Sequence, residues 1–348
     1  MLVLHPSPAL AQGPSEDPPD LSDLSLEQLA ELDIVYAAAK HFQSRREAPS
    51  SVSVVGSEEI RQFGYRTLAD VLRSLPGFYV TDDRNYSYVG VRGFNRPGDY
   101  STRVLLLLDG LRTNDNVYDT AFVAGEFMLD ADLIDRIEVI RGPGGSIYGS
   151  NAFFAVINVV TKRGHDLDGV ELAAAAGSFG SHGERASWGQ RFENGLEAMV
   201  SATLSDRAGE RIYFKEFDAP ETNGGIADRL DDEGSDSEHA SLSFKGGFLG
   251  ASHQSRAKGI PTGAYESDFG DPYNRTRDEK TMAQVGYDGP LGARLSTVSR
   301  LHYGRYHYKG EYVYTGVRTL DLGHGEWWGV DTSATWTPSA RHRVTFGI

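Results

Sequence analysis

The sequence of 348 residues contains no cysteine. That absence removes disulfides, thiol nucleophiles and thiolate metal sites together, without fixing the compartment. Long apolar runs are missing too. The longest, Ile34–Ala39 and Ala152–Ile157, hold about six residues, against the roughly 20 that a membrane-crossing helix needs. A helical membrane protein is therefore excluded. A barrel is not, because its strands alternate and keep mean hydropathy low. Positive charge is scarce: 34 Lys and Arg against 49 Asp and Glu leave a net charge of −15. Nucleic acid is excluded as a partner, since nothing here would release its phosphate counterions. The ten histidines do not group. His302 and His307 lie on a strand-like stretch at odd spacing, hence on opposite faces, which argues against a metal site.

Glycine (40 residues) and tyrosine (17) are abundant, as suits a turn-rich β protein. At the N-terminus, Pro8-Ala9-Leu10-Ala11-Gln12 reads as the small-residue end of a secretory signal cleaved after Ala11. Only Met1–Leu4 precedes it as apolar sequence and there is no basic n-region, so residues 1–11 are expected to be a truncated signal end. Residues 12–45 form an acidic, Pro-rich segment in which Leu21, Leu24, Leu26, Leu29 and Leu32 fall near helical spacing.

From residue 46 the texture changes. Ser51–Val55 is a short β run. Ser57 is the expected N-cap of a helix with Glu58 and Glu59 in its first turn and Gly64 at its end. Thr67 caps a second helix whose Leu68, Val71, Leu72 and Leu75 share a face, stopped by Pro76-Gly77. Tyr88–Arg92 alternates as a strand, and Arg103–Leu108 is a buried strand closed by an Asp109-Gly110 turn. Asp130–Asp135 offers a helical turn, Arg136–Arg141 a strand, the run from Arg141 to Gly145 a loop, and Phe154–Thr161 another strand. Interleaved helices and strands over residues 46–163 make a small α+β domain with its own core.

After residue 168 the helices vanish. Leu196, Ala198, Val200, Ala202 and Leu204 alternate with polar residues, as do Ala240, Leu242 and Phe244, then Trp328, Val330, Ala334 and Trp336. Tight links are expected at Glu193-Asn194-Gly195, Gly246–Gly250, Asp288-Gly289-Pro290 and Thr337-Pro338-Ser339. Long loops are expected at about 207–237, 258–278 and 305–325, the last carrying Tyr306, Tyr308, Tyr312 and Tyr314. Asp231-Asp232-Glu233-Gly234-Ser235-Asp236 reads as a solvated acidic loop. Short and long connections in alternation fit an outer-membrane barrel with short periplasmic turns and long outer loops. Trp328 and Trp336 share a face and, at ~3.3 Å per residue and ~40° tilt, stand about 20 Å apart along the membrane normal, near the spacing of two aromatic girdles. Residues 169–348 supply about nine strands.

Six stretches then occur in order: Glu47–Val54, Leu68–Leu72, Leu75-Pro76-Gly77, Val91-Arg92-Gly93-Phe94, Val104–Gly110 and Ile137–Asn158. Through them residues 46–163 resemble the plug domain of TonB-dependent outer-membrane receptors, with Arg92, Gly93, Asp109, Gly110, Arg141, Gly142, Pro143, Tyr148, Gly149 and Asn158 as motif positions. Asp33-Ile34-Val35-Tyr36-Ala37 looks like a TonB box, against the plainer reading of a linker strand. The resemblance implies an α+β plug followed by an antiparallel transmembrane β-barrel of roughly 22 strands, of which this sequence holds about nine. It implies residence in the outer-membrane lipid, an extracellular chelate ligand of the siderophore-iron or cobalamin class, and a periplasmic TonB-type energy-coupling protein that pairs with the box. It implies that Arg92 and Arg141 pair with barrel acids as a latch, and it implies no cofactor. For ligand contact, the loops Asp82–Tyr88 and Asn114–Tyr118 nominate Asn85, Tyr86, Asn116 and Tyr118. No nucleophile–base set or metal-ligand spacing points to an enzyme. The competing readings are a docking or adhesion barrel without transport, and a truncated non-transporting remnant, because about nine strands cannot close around a plug.

Overall fold

In the computed structural model the described residues are 34–35, 43–44, 51–95, 98–339 and 342–348. The signal end and the leucine-spaced segment lie outside them. So do Asp33, Tyr36 and Ala37 of the candidate box. Its remaining members, Ile34–Val35 (β1), pair antiparallel with Gln43–Ser44 (β2).

The plug opens with β3 (Ser51–Gly56), which runs straight into α1 (Ser57–Phe63). Ser57 is not the cap. Extended Gly56 takes that position with no side-chain hydrogen bond, and Ser57 is the first helical residue. Glu58 and Glu59 face the positive end of the helix dipole, and Gly64 ends the helix in the left-handed region. α2 (Leu68–Ser74) starts at Thr67 with a reciprocal box: Asp70 N–H donates to Thr67 Oγ1 at 3.2 Å, and Thr67 N–H donates to Asp70 Oδ2 at 3.0 Å. Next come β4 (Phe78–Asp82) and β5 (Ser87–Val91), an antiparallel hairpin. β5 is buried along its whole length rather than alternating, and Arg92 lies in the turn beyond it.

β6 (Val104–Leu108), β7 (Leu111–Arg112), β8 (Ile134–Arg141), α3 (Gly145–Tyr148) and β9 (Ala155–Thr161) complete the domain. Its five-stranded sheet has the order β3-β8-β9-β6-β7, with β6 and β9 parallel. Leu106, Val139 and Ile157 on one face pack with Leu72 of α2. Leu105, Leu107, Ile140 and Val156 pack on the other. A sheet covered on both sides reads as an unbroken apolar run, which is why Val104–Leu108 shows no alternation.

α4 (Gly164–Leu167) leads into the second sheet: β10 (Gly169–Ala176), β11 (His182–Arg191), β12 (Glu197–Arg207), then β15 (Glu233–Phe244), β16 (Gly247–Gly259), β17 (Arg275–Gly292), β18 (Leu295–Tyr314), β19 (Val317–Ser339) and β20 (His342–Gly347). Between β12 and β15 a side hairpin forms from β13 (Arg211–Tyr213) and β14 (Ile226–Asp228). The nine strands pair in sequence order, all antiparallel, and the sheet is open: β10 and β20 each have one neighbour among the described strands. Among the described residues no helix is long and apolar enough to cross a membrane.

Several expected connections shift. The turn after β15 is Lys245-Gly246, both at positive φ. Asp288-Gly289-Pro290 is paired strand, and the turn moves to Ala293-Arg294. Thr337-Pro338-Ser339 belongs to the irregular end of β19. The largest difference is at 305–325, which is no loop. β18 and β19 continue as a ladder to the two-residue turn Thr315-Gly316, so the tyrosines are strand residues. β18 has 20 residues and β19 has 23. At ~3.3 Å per residue they reach about 65 Å or more, roughly twice what a tilted strand needs for a ~25 Å apolar band.

The two faces of this sheet are inverted relative to a soluble β protein. Val200, Leu204, Leu242, Val285, Leu301 and Trp328 are exposed. Ser201, His239, Gln254, Arg256, Asp278 and Lys280, on the opposite face, are buried, and the last four bond to the plug. Apolar outside and polar inside is the arrangement a lipid solvent selects.

Candidate functional site

Two plug loops reach the inward face of the long strands, and each is held by an aspartate three residues ahead of a tyrosine. In the β4–β5 loop, Asp83 Oδ1 accepts from the N–H groups of Asn85 (2.9 Å) and Tyr86 (2.7 Å), while Oδ2 accepts from the Tyr88 hydroxyl at 2.6 Å. In the loop after β7, Asp115 Oδ1 accepts from the N–H groups of Val117 (2.8 Å) and Tyr118 (2.6 Å), and Oδ2 from Thr120 N–H at 3.0 Å. Such side-chain-to-backbone bonds replace secondary structure in a turn and fix where the aromatic ring emerges.

The rings meet the barrel. Asp278 of β17, buried, accepts from Tyr86 of the plug at 2.9 Å and from Tyr306 of β18 at 2.6 Å. Tyr118 stacks on Tyr100 at 5.8 Å and meets Tyr306 and Tyr308 edge-on at 6.4 and 5.7 Å. The Tyr100 and Tyr265 hydroxyls are 3.1 Å apart. These rings, with Phe122 and the tip residues Thr319 to Asp321, line a cavity of about 450 Å³. Burial, with Asp321 adding to it, pushes the Tyr118 hydroxyl above its ordinary range.

Beneath this cavity runs a network of charges. Arg256 of β16 donates to Asn85 O at 2.6 Å and to Glu233 Oε1 at 2.7 Å, and lies 3.8 Å from Glu126 Oε2 of the plug. Its guanidinium lies 5.6 Å from the Tyr86 ring centroid, a cation–π distance. Burial pushes the Glu126 carboxyl up to about 7, against the pull of Arg256. Lys280 donates to Thr113 O and stands 5.4 Å from the Phe122 ring. The acidic stretch 231–236 is not a solvated loop. Asp231 is buried and accepts from Glu210 N–H at 2.7 Å, Asp232 pairs with Arg275 at 2.7 Å, and Glu233 holds Arg256.

Of the four nominated contacts, Tyr86 and Tyr118 line the cavity. Asn85 is buried under it, its Oδ1 accepting from Thr276 Oγ1 at 2.9 Å. Asn116 turns away and donates to Glu326 O of β19 at 3.1 Å. The motif residues do other work. Asp109 and Gly110 form the turn after β6, both at positive φ. Asp109 accepts from Thr161 N–H and Oγ1, each at 2.9 Å, and Gly110 N–H donates to Asn158 Oδ1 at 2.9 Å, so the motif sews β6 to β9. Arg300 of β18 donates to Asp109 O at 3.1 Å. Arg141 donates to Ser51 and Ser53 of β3 at 3.1 and 2.5 Å. Gly142 and Gly149 carry positive φ around Pro143 and Tyr148, as does Gly93 beside exposed Arg92. Plug–barrel ion pairs among the described residues include Arg256 with Glu126 (3.8 Å), Arg185 with Asp132 (3.3 Å), and Arg84 with Glu210 in the connection after β12 (2.7 Å). Asp83, Asp115, Tyr100, Phe122 and Asp278 were not among the nominated residues. The repeated pattern Asp83-Arg84-Asn85-Tyr86 and Asp115-Asn116-Val117-Tyr118 was the available signal.

Comparison with known proteins fits this geometry. Residues 44–156 match the family described as the TonB-dependent receptor plug domain. The chain is 32% identical over 193 residues to the vitamin B12 transporter BtuB of Vibrio vulnificus, covering 54% of this chain and 30% of that one. It is 29% identical over 205 residues to an iron-regulated outer membrane virulence protein of Vibrio cholerae, covering 56% and 29%. Among solved structures, the ferric yersiniabactin uptake receptor FyuA of Yersinia pestis superposes with a TM-score of 0.64 at 19% identity, over 86% of this chain and 47% of that one. The pyoverdine outer membrane receptor FpvA of Pseudomonas aeruginosa gives 0.68 at 16%, over 90% and 48%. The chain thus spans under a third of the length of these curated relatives and about half of these solved structures. Plug motif, inverted sheet and likeness agree: residues 44–156 belong to the TonB-dependent receptor plug domain family, and the chain resembles the TonB-dependent receptors and resides in the cell outer membrane.

Proposed function

We propose that the protein serves ligand-gated active transport across the outer membrane, taking up a chelate of the siderophore-iron or cobalamin class. The observation that carries this reading is Asp278, which accepts from a plug tyrosine and a barrel tyrosine together. A ligand in the tyrosine cavity touches rings of both bodies, Tyr86 and Tyr306, which that carboxylate joins from behind, so its binding energy can alter how the plug sits. Asp33–Ala37 is the segment proposed to leave its local pairing and add as a strand to a periplasmic TonB-type protein. Arg92 and Arg141 are proposed to latch the plug through barrel carboxylates, where a bidentate pair gives direction at a high desolvation cost. The names of the Vibrio relatives, a vitamin B12 transporter and an iron-regulated protein, support a chelate ligand.

The test is uptake of labelled cyanocobalamin and of ferric chelates by energised cells producing the protein. Deleting residues 33–37 is expected to abolish uptake while leaving surface binding intact. Unchanged uptake would count against the reading, and binding without uptake in the intact protein would favour a docking barrel.

A further inference from the structure

Resting on that reading, the lining of the tyrosine cavity restricts what it accepts. We infer that the cavity selects uncharged or cationic chelates with flat or apolar faces and rejects anionic ones such as tris-catecholates and citrates.

Three observations carry this. The cavity is lined by tyrosines, Phe122, threonines, Leu320 and Asp321, with no lysine, arginine or histidine among the described lining residues. Anion-binding sites are built from guanidinium and ammonium donors, which fork onto carboxylate and catecholate oxygens.

The buried cations nearby, Arg256 and Lys280, are already engaged and lie behind the rings, and exposed Arg318 at the tip pairs with Glu311 at 2.9 Å. Arg256 and Lys280 are 3% and 2% exposed. Arg256 is held by Glu233 and Asn85, and Lys280 by Thr113. Freeing either one would leave buried partners uncompensated.

The hydroxyls are engaged as well. Tyr86 and Tyr306 donate to Asp278, Tyr308 pairs with Tyr312 at 2.7 Å, and Tyr100 pairs with Tyr265. What these pairings leave for a ligand is ring face and edge, together with the Tyr118 and Tyr314 hydroxyls. Ring faces carry the negative part of the quadrupole, and Asp278 behind them and Asp321 at the rim add charge of the same sign. Burial first, and then Asp321, raises the Tyr118 hydroxyl.

The experiment is equilibrium binding to the full chain in detergent, using cyanocobalamin, an uncharged ferric trihydroxamate and a trianionic ferric tris-catecholate. Saturable binding of at least one uncharged probe, with the tris-catecholate weaker by about tenfold or more, is expected. Equal or tighter binding of the tris-catecholate overturns the charge selection and leaves the transport reading standing. Binding of none of the three overturns both. The exposed rim position Thr319 supplies a variant that leaves the core intact. Thr319→Lys is expected to tighten tris-catecholate binding by about tenfold relative to the uncharged probes measured on the same variant. No gain for the anion would also contradict the proposal.

Discussion

Arg256 Nε lies 3.8 Å from Glu126 Oε2, a barrel cation beside a plug carboxylate, the two residues 3% and 1% exposed. Neither Glu126 oxygen has a hydrogen-bond partner among the described residues, and Arg256 Nη1 has none either. The pair is therefore a costly contact held in place by its neighbours. Such a contact sets position and can be broken without a large penalty once water enters.

Arg256→Met leaves Glu126 buried without its cation, while Glu233 keeps Arg207 at 3.3 Å. A loss of about 3–5 kcal/mol in unfolding free energy is expected, read from denaturant titration of the full chain in detergent. A variant as stable as the parent would show that Arg256 does not hold the plug to the sheet.

Docking should depend on pH through Glu126. Docked, its carboxyl titrates at about 7, while free in solvent it returns to its ordinary 4.5. The docked state binds more protons between those values. This contribution is fully present below about 4.5 and is lost as pH rises through about 7. Thermal midpoints should fall across that window, and Glu126→Gln should flatten the fall and raise the midpoint at pH 8. A midpoint that rises with pH in the parent protein contradicts the assignment.

The apex loops should fail separately from the fold. Asp83→Ala removes three hydrogen bonds from the loop that presents Tyr86. Affinity for a chelate probe should drop by about tenfold or more, because bonds to a charged group are worth roughly 1.5–3 kcal/mol. The thermal midpoint should move little. Asp115→Ala should behave in the same way through Tyr118.

How much of this was legible in the sequence depends on which solvent each residue meets. The plug was readable because its helices carry local signals, Thr67 with Asp70 and Gly64 at a helix end, and its motifs are contiguous. The alternating strands were readable as well, but only the structure says which face is outside. The stretch 305–325 reads as a loop in the sequence although it is paired strand, and glycines lie in and beside it. Gly304, Gly310 and Gly325 sit on the inward face, where a Cβ would meet Trp327, Tyr308 and Asn116 respectively. They mark where the plug and the aromatic rings press on the strands, which sequence spacing alone does not reveal. The acidic run 231–236 reads as solvated because its partners Arg256 and Arg275 lie on other strands.

The lipid-facing surface makes its own prediction. Val330 is 64% exposed on the outward face of β19, beside Trp328. Val330→Arg places a charge at membrane depth, where it costs about 2–4 kcal/mol near the midplane. Less protein should reach the outer-membrane fraction. Undiminished membrane assembly would mean that this face does not meet lipid.

The most direct test is a chelate titration followed by tryptophan emission, since Trp327 packs against the tyrosine cluster. The intact protein should bind at least one probe saturably, and Tyr118→Ala in the plug and Tyr306→Ala in the barrel should each weaken that binding by about tenfold or more. A titration that never saturates, or affinities unchanged in both variants, would contradict the claim that plug and barrel share one ligand site.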